Sequence, residues 1–165
     1  MGKKKPFTKK TLPMRVLEEK SIPYQVHQHD HKQYTAEGVA QDLGVPVAQV
    51  VKAMIVRHSD GQFALVVVPG DARLSLKKVG AALGDKNATL AAERDVQRVT
   101  GFQVGAVSVM GFRRDDVRAY VDQRVLDLEQ VLISSGSPEA GLALSPEHLM
   151  QALENGQVGD FSEDL

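Results

Sequence analysis

The amino-acid sequence predicts a mixed α/β domain, a small, barrel-like β-sheet surrounded by helices. Three observations predict it. Strand-like and helix-like stretches interleave along the chain, with short, irregular connections. Asp60-Gly61 joins two β-rich runs, a hairpin signal, so the sheet is not purely parallel. The chain has 165 residues, 42% hydrophobic and 25% charged, which is ordinary globular usage for one domain. Aromatic residues make up only 5% and Trp is absent, so Val, Leu, Ile and Ala must fill the core.

Thr11 can cap a short first helix, with Pro13 in its first turn and Val16 and Leu17 as apolar positions. It ends near Lys20, and Ser21-Ile22-Pro23 breaks it. Residues 24–29 alternate and read as a strand. Thr35 can cap a helix through Leu43, with Gly44 as its stop. Val45-Pro46-Val47 makes a turn. Residues 50–56 and 62–68 are the two runs of the hairpin, and Pro69-Gly70-Asp71 closes the second. Ser75 can cap a helix over residues 76–83, ended by Gly84. Residues 92–99 read as another, ended by Gly101. Residues 118–121, 130–134 and 142–144 look like short strands. Ser145-Pro146-Glu147 is a capped helix start with Pro at the first position. The stretch after Asn155 is polar and reads as a loose, acidic tail.

Net charge is −1, but it is unevenly spread. Residues 1–20 carry seven basic and two acidic side chains; residues 145–165 carry five acidic and none basic. The expected organisation is a basic flexible arm over residues 1–10, a domain over 11–154 and an acidic tail over 155–165. A basic arm can attract phosphates or can simply be a solvated terminus. Cysteine is absent, which excludes disulfides, thiolate metal ligation and a thiol nucleophile. No apolar run approaches the roughly 20 residues of a membrane span. The Lys-rich start has no apolar segment behind it, unlike a secretory signal. The expected location is the cytoplasm.

Three features could carry chemistry. Lys52 is a lone cation in the apolar run Val50-Val51-Lys52-Ala53-Met54-Ile55-Val56. Burying an ammonium unpaired is costly, so it either faces water as an edge-strand lysine or meets an anion such as phosphate. Residues 101–111 hold three glycines, Gly101, Gly105 and Gly111, among apolar neighbours. Such a loop bends sharply, and its exposed N–H groups can hold an anion or a developing oxyanion. It is not a P-loop, because no Gly-Lys-Ser/Thr follows. Glycines at the bends of a plain strand connection would look the same. His27, His29 and His31 would share one face of a strand, as metal ligands can, but no further ligand stands at a telling spacing. No metal and no cofactor is expected. No G-x-S-x-G elbow surrounds Ser108, Ser134 or Ser135, so a Ser–His–Asp hydrolase has no support.

Taken in order, these positions resemble the YbaK/ProX family of aminoacyl-tRNA deacylases, which includes the editing domain inserted in bacterial prolyl-tRNA synthetases. The resemblance covers roughly residues 11–154. It is carried by Ile22-Pro23-Tyr24, His29-Asp30, Thr35-Ala36-Glu37 with Ala40, Leu43 and Gly44, and Val50-Val51-Lys52. Its most specific mark is Val99-Thr100-Gly101-Phe102 with Gly105-Ala106-Val107-Ser108 and Gly111. Ile133-Ser134-Ser135-Gly136, Gly141-Leu142 and Ser145-Pro146 complete it.

The resemblance implies a YbaK-like fold and hydrolysis of the ester joining a wrong amino acid to the 3′ end of a tRNA. It implies work in trans, with the tRNA acceptor end and prolyl-tRNA synthetase as partners. Lys52, Gly101 and Gly105 are the implied catalytic residues. Lys52 would hold the terminal phosphate–ribose region, and the glycine loop would orient the ester carbonyl and a water. Tyr24, His29, Phe102, Ser108, Val109, Gly111, Ser134 and Gly136 are the implied substrate-binding residues. The family loop usually has Gly where Ala106 stands and Pro where Val109 stands. Its later segment is usually Gly-Gly-x-Arg-Gly, whereas residues 135–141 lack the Arg. These departures bear on which amino acid is removed; the loop is nearest to the Cys-tRNA(Pro) type. The alternative is a non-catalytic relative that binds an acceptor end or a synthetase.

Overall fold

A computed structural model describes residues 6–30 and 35–165. Local caps set its helices. Helix α1 (Leu12–Glu19) follows Thr11, with Pro13 in its first turn. Helices α2 (Ala36–Leu43), α3 (Leu76–Leu83) and α5 (Pro146–Leu153) start at Thr35, Ser75 and Ser145. Each of these hydroxyls accepts from the amide three residues on, those of Gly38, Lys78 and His148. Gly44, Gly84 and Gly101 end α2, α3 and α4 (Glu93–Thr100) at φ +68°, +66° and +82°, a left-handed turn that costs glycine nothing.

The strands form three sheets. The largest has the order β5-β2-β3-β6-β9: Thr89–Leu90, Lys52–Arg57, Phe63–Val68, Arg118–Asp122 and Gln157–Gly159. β2 and β3 are the expected hairpin, with Lys52 opposite Val68 and Arg57 opposite Phe63. β6 runs parallel to both β3 and β9, so the sheet is mixed as expected. A second sheet, β1 (Gln25–Gln28), β8 (Ala140–Leu144) and β7 (Val131–Ser134), is antiparallel throughout. β4 (Ala72–Leu74) pairs with β10 (Ser162–Asp164).

All six residues of β3 are buried, because both of its faces are covered. Phe63, Leu65 and Val67 join the larger core with Leu17 of α1, Val99 of α4, Ile133 and Leu142 of the second sheet, and Leu149 of α5. Ala64, Val66 and Val68 face α3 through Val79, together with Tyr120 and Phe161.

Two expectations are corrected. The sheets do not close as a barrel. Closure needs edge strands that pair with each other, and the edges here are the two-residue β5 and the three-residue β9. Among the described residues, a single parallel bridge, Val50 to Leu132, joins the five-stranded sheet to the second sheet. The stretch after Asn155 is not loose: it supplies β9 and β10. Phe161, 4% exposed, anchors it by packing edge-on against Tyr120 at 5.8 Å between centroids. Its amide donates to the buried Asp122 carboxylate, and Lys78 donates to the Ser162 carbonyl.

Candidate active site

A cavity of about 420 Å³ opens where the two larger sheets meet. β5 pairs with Val56 and Arg57, so among the described residues the first half of β2 lacks a strand partner on that edge. Val51 instead donates to the Leu132 carbonyl at 3.1 Å, which ties the start of β2 to β7. The cavity lies beside this join. Val50–Met54, Leu132–Ser134 and the first turns of α2 (Thr35, Ala36, Glu37, Val39) line it, with His29, Gly105, Val107, Ser137 and Gly141.

Four of the residues singled out in the sequence meet here: His29, Lys52, Gly105 and Ser134. Lys52 is half-buried, and its ammonium donates to the Ala72 carbonyl of β4. An ammonium has three donors, so two remain for a ligand. Gly105 has no side chain, so what it presents to the cavity is backbone, turned at φ +85°. His29 is buried, with Nδ1 3.1 Å from the Asp30 carbonyl. Among the described residues, no group of three or more His, Asp or Glu side chains is placed to hold a metal; His31 lies outside those residues.

The remaining residues lie elsewhere. Gly101 caps α4 on the surface. Phe102 packs on Gly136, where an added Cβ would come within 2.7 Å of its ring. Ser108 is fully buried and donates to the Ser134 carbonyl. Val109 belongs to the core and, with Gly111, borders a second cavity of about 940 Å³. Tyr24 donates to Glu18 at 3.1 Å beside α1. Burial first, then that bond, pushes its hydroxyl above the ordinary pKa, so it stays protonated at neutral pH.

Sequence reasoning missed Glu37, Met54, Val107 and Ser137 as wall residues. Thr35 was legible as a cap, and a cap at the mouth of a cavity places the first turn of its helix there.

Ser134 latches the glycine loop to β7. Its hydroxyl donates to the Ala106 carbonyl at 3.0 Å and accepts from the Gly136 amide at 3.1 Å. Ser134→Ala should lose both bonds, about 1–2 kcal/mol together, and lower the melting temperature by roughly 5 °C. An unchanged melting temperature would show that the latch does not form.

The family model for the aminoacyl-tRNA editing domain matches residues 30–152, and this span contains every wall residue except His29. The chain belongs to the aminoacyl-tRNA editing domain family. It is 28% identical to "Putative Cys-tRNA(Pro)/Cys-tRNA(Cys) deacylase EbsC" of Enterococcus faecalis, over 98% of each chain. It is 30% identical to the proline--tRNA ligase of Thermosipho africanus over 99 residues, which are 60% of this chain and 17% of the ligase. Most of that ligase therefore has no counterpart here. Among solved structures, "a putative trans-editing enzyme for prolyl tRNA synthetase" superposes with a TM-score of 0.82 at 29% identity, over 92% of this chain and 95% of that one. The editing fold is thus shared along nearly the whole chain. Among the described residues, no helix is long and apolar enough to cross a membrane.

Proposed function

We propose that this protein is a free-standing trans-editing hydrolase of the cytoplasm that deacylates mischarged tRNA. Its substrate is Cys-tRNA(Pro) or the ester of a similarly small amino acid, and it works beside prolyl-tRNA synthetase. The observation that carries this reading is the cavity that brings Lys52 and the Gly105 backbone together within an editing-family fold. The match to EbsC along 98% of each chain supports action in trans and the cysteinyl ester.

The reaction needs no nucleophile from the protein. A water oxygen attacks the ester carbonyl carbon and pushes an electron pair onto the carbonyl oxygen. Collapse of that oxyanion breaks the bond to the ribose oxygen, which takes up one proton of the attacking water; the other is released to solvent as the amino acid leaves as its carboxylate. Lys52 holds the phosphate–ribose end by charge, and the Gly105 backbone orients the carbonyl and the water. The volume, about 420 Å³, lies in the ordinary range for small-ligand sites. Val39, Val107 and Leu132 in the wall favour a small apolar side chain.

The test is release of labelled amino acid from Cys-, Ala- and Ser-tRNA(Pro). At least one ester should be cleaved far above its spontaneous rate, the cysteinyl ester fastest. Spontaneous rates for all three would overturn the reading.

A further inference from the structure

We propose that five arginines at the end of the sheet remote from the cavity hold the phosphates of the tRNA acceptor stem; this rests on the deacylase reading. They come from three segments. Arg57 ends β2, which begins at Lys52 beside the cavity. Five strand steps separate the two, about 17 Å, a span of several nucleotides. Phe63 stands directly opposite Arg57, so their side chains share one face of the sheet.

Two guanidinium groups lie over the Phe63 ring, those of Arg98 at 5.9 Å and Arg114 at 5.6 Å from its centroid. Arg94 precedes Arg98 by one turn of α4, on the same side of the helix. Arg113 lies beside Gly101, with its Nε 3.6 Å from where a Cβ there would be.

Asp95 and Asp116 partly neutralise Arg98 and Arg114, and Glu93 and Asp115 are acidic neighbours in sequence. Arg57, Arg94 and Arg113 are exposed and form no ion pair among the described residues. Among the described residues, no side-chain hydrogen bond or ion pair uses these three charges. The glycine loop connects them to the cavity: Gly101 lies at Arg113, Gln103 and Val104 are exposed, and Gly105 reaches the cavity wall. An RNA strand whose 3′ end enters the cavity is led along this loop onto the arginines, whose planar, always-charged groups suit phosphate.

The variant that tests this is Arg94→Gln with Arg113→Gln, two exposed positions away from the core. Binding of uncharged tRNA is titrated at rising potassium chloride. Each lost phosphate contact should lower the slope of log affinity against log salt by about 1, so the double variant should lose about 2 and bind roughly tenfold more weakly at low salt. The same variant should hydrolyse an aminoacylated CCA trinucleotide at the wild-type rate, because that substrate lacks the stem. An unchanged slope, or a wild-type affinity flat in salt, would overturn the proposal. Equal losses on trinucleotide and full tRNA would overturn it too, since the arginines would then act at the cavity. If the slope falls while neither protein cleaves the trinucleotide, the arginine surface stands and the deacylase reading falls.

Discussion

Lys52→Ala is expected to slow single-turnover deacylation by about ten- to a hundredfold, with little change in fold. Lys52 lines the cavity, and its ammonium has two donors left after its bond to the Ala72 carbonyl. A hydrogen bond from a charged group contributes roughly 1.5–3 kcal/mol, and each 1.4 kcal/mol is about tenfold in rate. The loss is larger if ester alignment fails with it. Stability should fall by no more than about 1.5–3 kcal/mol, the range for the charged bond to the Ala72 carbonyl, which is the one side-chain hydrogen bond of the half-buried Lys52 among the described residues. Lys52→Arg should rescue incompletely, because a guanidinium is planar and longer. A lysine that merely guards a strand edge would leave the rate unchanged. Melting temperature and single-turnover rate, measured on the same preparation, separate the two. Wild-type turnover by the alanine variant would remove Lys52 from the site.

The helices were legible because their signals are local. Thr35, Ser75 and Ser145 each precede their helix by one residue, and Gly44, Gly84 and Gly101 each follow theirs by one. The β2–β3 hairpin was legible for the same reason, through Asp60-Gly61 and two long apolar runs. What escaped depends on partners distant in sequence. β4, β5, β9 and β10 have two or three residues each, too few for periodicity to show, and they exist because a remote segment offers a hydrogen-bonded edge. The single aromatic Phe161 in a polar stretch was the available sign that the tail is packed.

The site divides in the same way. Lys52 stood out because a charge in an apolar run needs a reason. Phe102, Ser108 and Gly136 carry the family resemblance, and in the structure they face each other or Ser134 rather than the cavity. Their positions in sequence do not distinguish a wall residue from the residue that props the wall. Val109 shows this most clearly: it stands where the family usually has Pro, and its side chain is in the core, 3% exposed.

Gly70→Ala is expected to be among the most damaging single-methyl additions in the chain. Pro69-Gly70-Asp71 reads in sequence as an ordinary turn after β3, yet the structure gives this glycine a different duty. The 3₁₀ turn over Val47–Gln49 crosses directly above it, and the Gly70 amide donates to the Ala48 carbonyl at 3.3 Å. A Cβ at Gly70 would lie 2.1 Å from the Val47 oxygen and 2.5 Å from the Val50 oxygen. Both are backbone atoms, so no side-chain rotation relieves the overlap. The turn must lift, and with it the segment that leads through Val50 and Val51 into Lys52. Overpacking of this kind costs about 3 kcal/mol, or roughly 6–12 °C in melting temperature for a chain of this size. Gly61→Ala is the control. Gly61 has φ +88° and nothing within 4 Å of its added methyl, so it bears only the left-handed strain of about 1–2 kcal/mol. Thermal melts should therefore rank Gly70→Ala well below Gly61→Ala. Assayed well below its melting point, Gly70→Ala should also deacylate more slowly, because the displaced turn carries Lys52 off its position, whereas Gly61→Ala should keep the wild-type rate. Equal melting temperatures for the two variants would show that the turn does not bear on Gly70, and that something other than this crossing holds Lys52 at the cavity.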